Sequence, residues 1–298
     1  MKKVLLILMC CMAIQSVHAQ DTPKWADKAK KAVFSIVTYD KENKIKNTGN
    51  GFYIDNNGTA LSDYSLFEDA ERAVIINADG KELPVTRIAG ANSMYDVIKF
   101  RTETEKKITA LKVATQPAAV GETVYLLPYS TQKAATCQTG KVTQVDTIAD
   151  KAYYYTLTMT TSDKTVSCPI MNANGEVLGL IQKSASEEDK ESYAIGASYG
   201  ESLSISPLSA NDINLNKIGI AKALPETEDQ ALVYLYMSSS QMDAKNYLAT
   251  LNDFLQAYPN STEGYTRRAG YYMNIGDDEH NALAEADLKK AMDVSGNK

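Results

Sequence analysis

Histidine is nearly missing from this chain. Its 298 residues hold two, His18 and His280, and neither has a carboxylate or cysteine cluster around it of the kind a typical zinc site needs. No D-x-D-x-D-G loop suited to calcium occurs, and no glycine-rich phosphate loop leads into a helix, so no metal and no cofactor is expected. Basic runs are missing beyond Lys2-Lys3, and the net charge is −6, so nothing points to a nucleic acid or to an anionic membrane surface. Long apolar runs are also missing. The one apolar stretch, Val4 to Ile14, is too short to span a bilayer. Cysteine is scarce, with Cys10, Cys11, Cys137 and Cys168 the full set.

What is present suits a globular protein. A hydrophobic content of 44% supports a real core, and the length accommodates two domains. Residues 1–19 read as a signal peptide: Lys2 and Lys3 are followed by the apolar Val4 to Ile14, and Val17-His18-Ala19 offers a cleavage site after Ala19. Lipidation at Cys10 or Cys11 is the weaker alternative, because Met9 and Cys10 are poor versions of the small residue required before the lipidated cysteine. The expectation is an exported, periplasmic or secreted protein without an integral membrane segment after cleavage. Cleavage removes His18, Cys10 and Cys11. Cys137 and Cys168 then form a disulfide, two buried thiols, or a set with one reactive thiol.

Along the chain, residues 20–31 read as a polar lead-in, and from Ala32 the texture turns β-rich. An apolar run from Val33 to Val37 and the Phe52-Tyr53-Ile54 segment come first. Strand candidates follow at Ala73 to Ile76, Leu83 to Ile88, Val97 to Phe100, Thr123 to Leu127, Lys141 to Val145, Tyr153 to Met159 and Val177 to Ile181. Turn signals such as Asp79-Gly80 and Asn174-Gly175 separate them, a pattern of all-β sandwiches and barrels. Near residue 220 the texture changes. Residues 221–229 read as a linker and 230–298 as helices, with Ala231, Leu235, Leu251 and Phe254 at helical spacing.

Three segments of the β region carry a family resemblance: Gly49-Asn50-Gly51-Phe52-Tyr53-Ile54 with the following Asn57 to Ala70, then Tyr95-Asp96-Val97-Ile98-Lys99-Phe100, then Val166-Ser167-Cys168-Pro169-Ile170-Met171 through Gly175 to Leu180. In this order they resemble the trypsin-like serine proteases of the HtrA/Deg type. The resemblance implies an all-β domain of two six-stranded barrels over residues 32–220, with catalytic groups at their interface. That chemistry needs a serine nucleophile, a histidine base and an orienting aspartate. Carried across by the motifs, the histidine position is Ser65, the aspartate position Asp96 and the serine position Val166. Lys164 stands where a glycine would help shape the oxyanion hole.

The expected triad is therefore degenerate, and no realignment restores it, because cleavage of the signal peptide and the place of His280 in the helical tail leave residues 32–220 without a histidine. Fallback nucleophiles are Ser167, paired with Lys164 or Lys183 in a serine–lysine dyad, and Cys168. The resemblance also admits a Cys137–Cys168 disulfide across the loop holding Lys164 and Val166.

The tail resembles tetratricopeptide repeats, with Ala269, Tyr272 and Gly276 on one helix, Ala284, Asp287, Leu288 and Ala291 on the next, and about three extra residues between them around Glu279-His280-Asn281. Two such repeats are too few to stand alone, so the tail docks on the β domain or on a partner. Tyr265, Tyr271 and Tyr272 are expected mainly in its core. The functional expectation is a catalytically inactive trypsin-like protein that binds a protein or peptide partner through the former cleft, the tail, or both. The alternative is a serine-type or cysteine-type endopeptidase with a non-standard nucleophile.

Overall fold

The computed structural model describes residues 22–104, 108–149, 152–183 and 190–296. The expected signal peptide, with Cys10, Cys11 and His18, lies outside the described residues. Six antiparallel strands close the first barrel: β1 (Val33–Tyr39), β2 (Ile45–Tyr53), β3 (Thr59–Ser62), β4 (Arg72–Ile76), β5 (Glu82–Asn92) and β6 (Val97–Thr102). Their order around the barrel is β1-β2-β3-β6-β5-β4. The second barrel comprises β7 (Thr123–Leu126), β8 (Gln138–Ala149), β9 (Ala152–Leu157), β10 (Pro169–Met171), β11 (Val177–Ile181) and β12 (Ser192–Gly196), in the order β10-β11-β12-β9-β8-β7. Closure removes the sheet edges that would otherwise invite pairing with other chains.

The strands follow from their residues. β1 alternates buried Phe34 and Ile36 with half-buried Ser35 and Val37, and β11 is buried at every position, which matches its unbroken apolar sequence Val177 to Ile181. Phe34, Phe52, Phe67 and Phe100 fill the first barrel. Gly51 is required where the chain closes tightly, since a Cβ there would sit 2.7 Å from the Leu61 carbonyl oxygen and 2.7 Å from the Phe34 ring. Three strands escape sequence reading. β3, β10 and β12 have 4, 3 and 5 residues and are set by their neighbours more than by their own pattern.

The lead-in is not loose. Residues Ala26–Ala29 form a short helix, α1, and this segment clamps the second barrel. Trp25 Nε1 donates to the Ala173 carbonyl at 3.0 Å, and Asp27 accepts from the Ala135 amide at 2.8 Å. The buried Lys30 ammonium caps the carbonyls of Gln132 and Lys133.

After α2 (Ala197–Ser202) and α3 (Ile213–Asn216), the segment expected as a linker is stitched to the first barrel. Ile88 donates to the Ala221 carbonyl at 2.8 Å, and Ala223 returns a bond to the Ile88 carbonyl at 2.7 Å. The tail is α4 (Glu228–Ser238), α5 (Ala244–Ala257), α6 (Thr262–Ile275) and α7 (Asp278–Ser295). Asp243, Ser261 and Asp277 cap the last three with side-chain oxygens, and Gly276 ends α6 in the left-handed region. Glu279, His280 and Asn281, expected between two helices, instead form the first turns of a longer α7.

The tail docks on the barrels through α4. Tyr234 is 2% exposed and belongs to the same core as the barrels, while Ala231, Leu235, Leu251, Phe254 and Leu255 form the tail's own core. Tyr265 and Tyr271 pack against that second core. Leu288, expected as a packing residue, is 39% exposed. An Arg87–Asp253 ion pair ties β5 to α5.

Candidate functional site

Ser65 lies in the 3-10 turn Tyr64–Leu66 that follows β3, and Asp96 in the turn between β5 and β6. The fold brings them together. The Ser65 amide donates to Asp96 Oδ1 at 2.7 Å, and the Ser65 hydroxyl donates to Oδ2 at 3.0 Å. Asp96 adopts a left-handed backbone with φ 47, which aspartate tolerates better than most residues. The aspartate therefore orients a partner, but that partner is a hydroxyl. A serine cannot take up a proton near neutral pH as an imidazole does.

Val166 lies in a tight turn ahead of β10. Its neighbours' amides are all committed. Thr165 and Val166 both donate to the Ser162 carbonyl, at 2.8 and 3.2 Å, Ser167 donates to the Ile181 carbonyl at 2.9 Å, and Cys168 donates to the Thr165 carbonyl at 3.1 Å. An oxyanion hole needs donors free and aimed at the developing charge. From Thr165 to Cys168 the donors are spent inside the protein.

Asn50, on β2, is the residue that fixes this loop, and it was not singled out from the sequence. It is 5% exposed, and its side-chain amide donates to the carbonyls of Val166 at 2.9 Å and Lys164 at 3.1 Å. Its own carbonyl accepts from the Ser62 hydroxyl at 2.6 Å. Beside it a cavity of about 300 Å³ opens between the barrels, lined by Ser35, Thr48, Asn50, Tyr129, Asp163 and Lys164.

The fallback nucleophiles are sealed. Ser167 and Cys168 have no exposed surface, and burial pushes the Cys168 thiol up to about 12, which keeps it protonated at neutral pH. Lys164 is exposed, and Lys183 pairs with Asp163 at 3.3 Å with both side chains in solvent, so neither stands as a desolvated base for Ser167. Asp277 caps the helix that holds His280, accepting from its amide at 2.8 Å and lying 2.8 Å from its ring Nδ1, and the imidazole lies against Tyr272.

Cys137 and Cys168 are free thiols, so the disulfide admitted by the resemblance is not formed. Topology explains this. Cys137 adjoins β8 and Cys168 adjoins β10, and β7 runs between them, with Leu126 paired to Gln138 on one side and to Ile170 on the other. Two strand spacings come to about 9.6 Å, beyond the reach of a disulfide at about 4.4–6.8 Å between Cα atoms.

Asp63 is the second residue that the sequence did not announce. It precedes the Ser65 turn, is 2% exposed, and its Oδ1 has no hydrogen-bond partner. Burial, and next the charge of Asp96, push its carboxyl well above the ordinary range, while the Ser167 hydroxyl opposes them weakly. Among the described residues no group of three or more histidines, cysteines and carboxylates is placed to hold a metal ion.

Comparison with known proteins gives one family match and similar solved structures. Residues 49–180 match the family model described as trypsin-like peptidase domain. Among solved structures, the serine endoprotease from Yersinia pestis is similar, at 15% identity and a TM-score of 0.49, over 58% of this chain and 61% of that one. This chain thus spans less than two thirds of that structure. None of the curated proteins compared matches. Residues 49–180, the stretch that matches the trypsin-like peptidase domain, lie here within two closed six-stranded barrels.

Proposed function

We propose that this protein binds a protein or peptide and does not hydrolyse it. The observation that carries the reading is Ser65 in the position of the catalytic histidine, bonded to Asp96, in a β domain without any histidine. The committed amides from Thr165 to Cys168 support it, since a nucleophile restored at position 166 would have its own amide spent on the Ser162 carbonyl and not free for an oxyanion. The ligand side is the inter-barrel cavity lined by Tyr129, Asn50 and Lys164, where an extended peptide would lie against the barrels. The signal-like N-terminus supports a role outside the cytoplasm, and the repeat-like tail is a candidate second surface for a partner.

Two assays test the proposal. In the first, the protein is incubated with an unfolded protein substrate, alongside Ser167→Ala and Cys168→Ala. No turnover is expected, and cleavage that disappears in either variant overturns the inactive reading. In the second, an array of extended peptides is probed with the wild type and with Tyr129→Ala. Binding weakened at least tenfold by the substitution is expected. Binding that ignores Tyr129, or no binding at all, overturns the cleft as the ligand site.

A further inference from the structure

The interface between the barrels holds a polar cluster that neither catalysis nor peptide binding uses. Asp63 comes from the first barrel, between β3 and the Ser65 turn. Ser167 and Cys168 come from the second, at the entrance to β10. All three are essentially without exposed surface. The Ser167 hydroxyl lies close enough to act on the Asp63 carboxyl, but neither Asp63 Oδ1 nor Ser167 Oγ completes a hydrogen bond of good geometry, an expensive arrangement for two buried polar atoms. The groups facing Asp63 are few. From the β5–β6 turn comes Asp96, whose carboxylate is held by Ser65, and from the second barrel come the Ser167 hydroxyl and the Cys168 thiol. No cation acts on Asp63 among the described residues.

We infer that Asp63 is a proton-dependent latch between the two barrels: with its proton it closes the barrels over Ser167 and Cys168, and without it the interface loosens there. An ionised carboxylate in this place would face the Asp96 charge from inside a dry contact, with no counter-charge. A neutral acid has a proton to donate and fits the site, as carboxylic acids held neutral in apolar sites do. The released proton goes to solvent, and relief comes from water entering between the barrels.

The sign follows from linkage. Asp63 has its folded pKa raised above the unfolded carboxylate value of about 3.9. Its stabilising contribution is complete below that unfolded value. It declines as pH rises toward the folded pKa and is gone above it.

The test compares wild type with Asp63→Asn, a neutral isostere, in urea titrations between pH 4 and pH 9. Near pH 4 the midpoints should coincide. With rising pH the wild-type midpoint should fall relative to the variant, and deuterium exchange of the 165–168 amides should rise in the wild type alone. Parallel midpoint curves overturn the latch. Should the variant fail to fold, difference infrared spectroscopy of the wild type decides. A protonated-carboxyl band that is lost together with protection at 165–168 supports the latch. Absence of the band, or its loss without a change in exchange, overturns it.

Discussion

Asn50 of the first barrel reaches across to the second and donates its side-chain amide to the Val166 carbonyl at 2.9 Å. Through this bond, and the one to Lys164, the first barrel sets the shape of the loop where a nucleophile would stand. Both carbonyls turn toward Asn50, and the amides of residues 165–168 turn to internal partners.

Replacing Asn50 with alanine should therefore cost about 2 kcal/mol, the scale for stranding buried acceptors. Urea denaturation measures the loss, and deuterium exchange should report lower protection at 164–168. Asn50→Asp should be worse at neutral pH, because a carboxylate would point at two carbonyl oxygens. The difference should shrink as pH falls, starting above the ordinary carboxyl range because the site opposes the charge, and the recovery should be complete below about pH 4, where the unfolded carboxyl protonates.

How much of this could be read beforehand differs by residue. The Ser65, Asp96 and Val166 positions were legible because the motifs that carry them have glycines and a proline that set their spacing. Asp63 was not, because a polar letter beside a strand looks the same whether solvated or sealed; only its place between two barrels makes it costly. Asn50 stands at the open position between Gly49 and Gly51 in the motif that carries the resemblance, so the motif sets no demand on it, whereas Gly51 serves a close approach to Leu61 and Phe34. The barrels' long strands were visible from alternation, but β12, five residues of Ser-Tyr-Ala-Ile-Gly, carries too short a pattern. The cysteine pairing failed because proximity in sequence motifs does not reveal the strand that runs between them.

Restoring the missing side chains should not restore activity. The double variant Ser65→His, Val166→Ser would place an imidazole beside Asp96 and a hydroxyl in the loop. The Val166 position would still spend its amide on the Ser162 carbonyl. Loss of a single oxyanion donor already costs about 10²–10³ in rate elsewhere. Hydrolysis of a labelled unfolded substrate should stay at background. Clear turnover would show that the turn can open to free its donors.

The two thiols should differ in reactivity and fail to pair. Burial pushes Cys137 up to about 11 and Cys168 up to about 12. In the native protein near pH 8, alkylation should be slow at the half-buried Cys137 and absent at Cys168, with both reacting quickly in denaturant. Mild oxidation of the native protein should produce no bond between them. Peptide mass mapping follows each cysteine separately.

In the tail, Arg268 grips Asp287 in a two-point fork, Nε to Oδ2 at 2.8 Å and Nη2 to Oδ1 at 2.7 Å, and its third nitrogen reaches Asn252 on α5. Asp287 is 6% exposed, so this pair is far less screened than a surface one. Asp287→Ala should cost about 2–3 kcal/mol by leaving the guanidinium without its partner. Arg268→Lys should not substitute for it, since an ammonium cannot reproduce the planar fork. Circular dichroism in urea reads both.

The N-terminal clamp gives the sharpest contrast. Gly175 has φ 77 in the turn before β11, and a Cβ there would lie 2.7 Å from Trp25 Cγ. Gly121 has φ 86 but open space around it. Alanine at either position pays about 1–2 kcal/mol for the left-handed backbone. At Gly175 alone it must also push the indole away and break the Trp25 bond to the Ala173 carbonyl. Trp25 is the single tryptophan in the sequence, so its emission reports this contact directly. Gly175→Ala should shift the emission to the red and destabilise more than Gly121→Ala, whose emission should match the wild type. Equal losses with unchanged emission would show that the clamp contributes nothing beyond backbone strain.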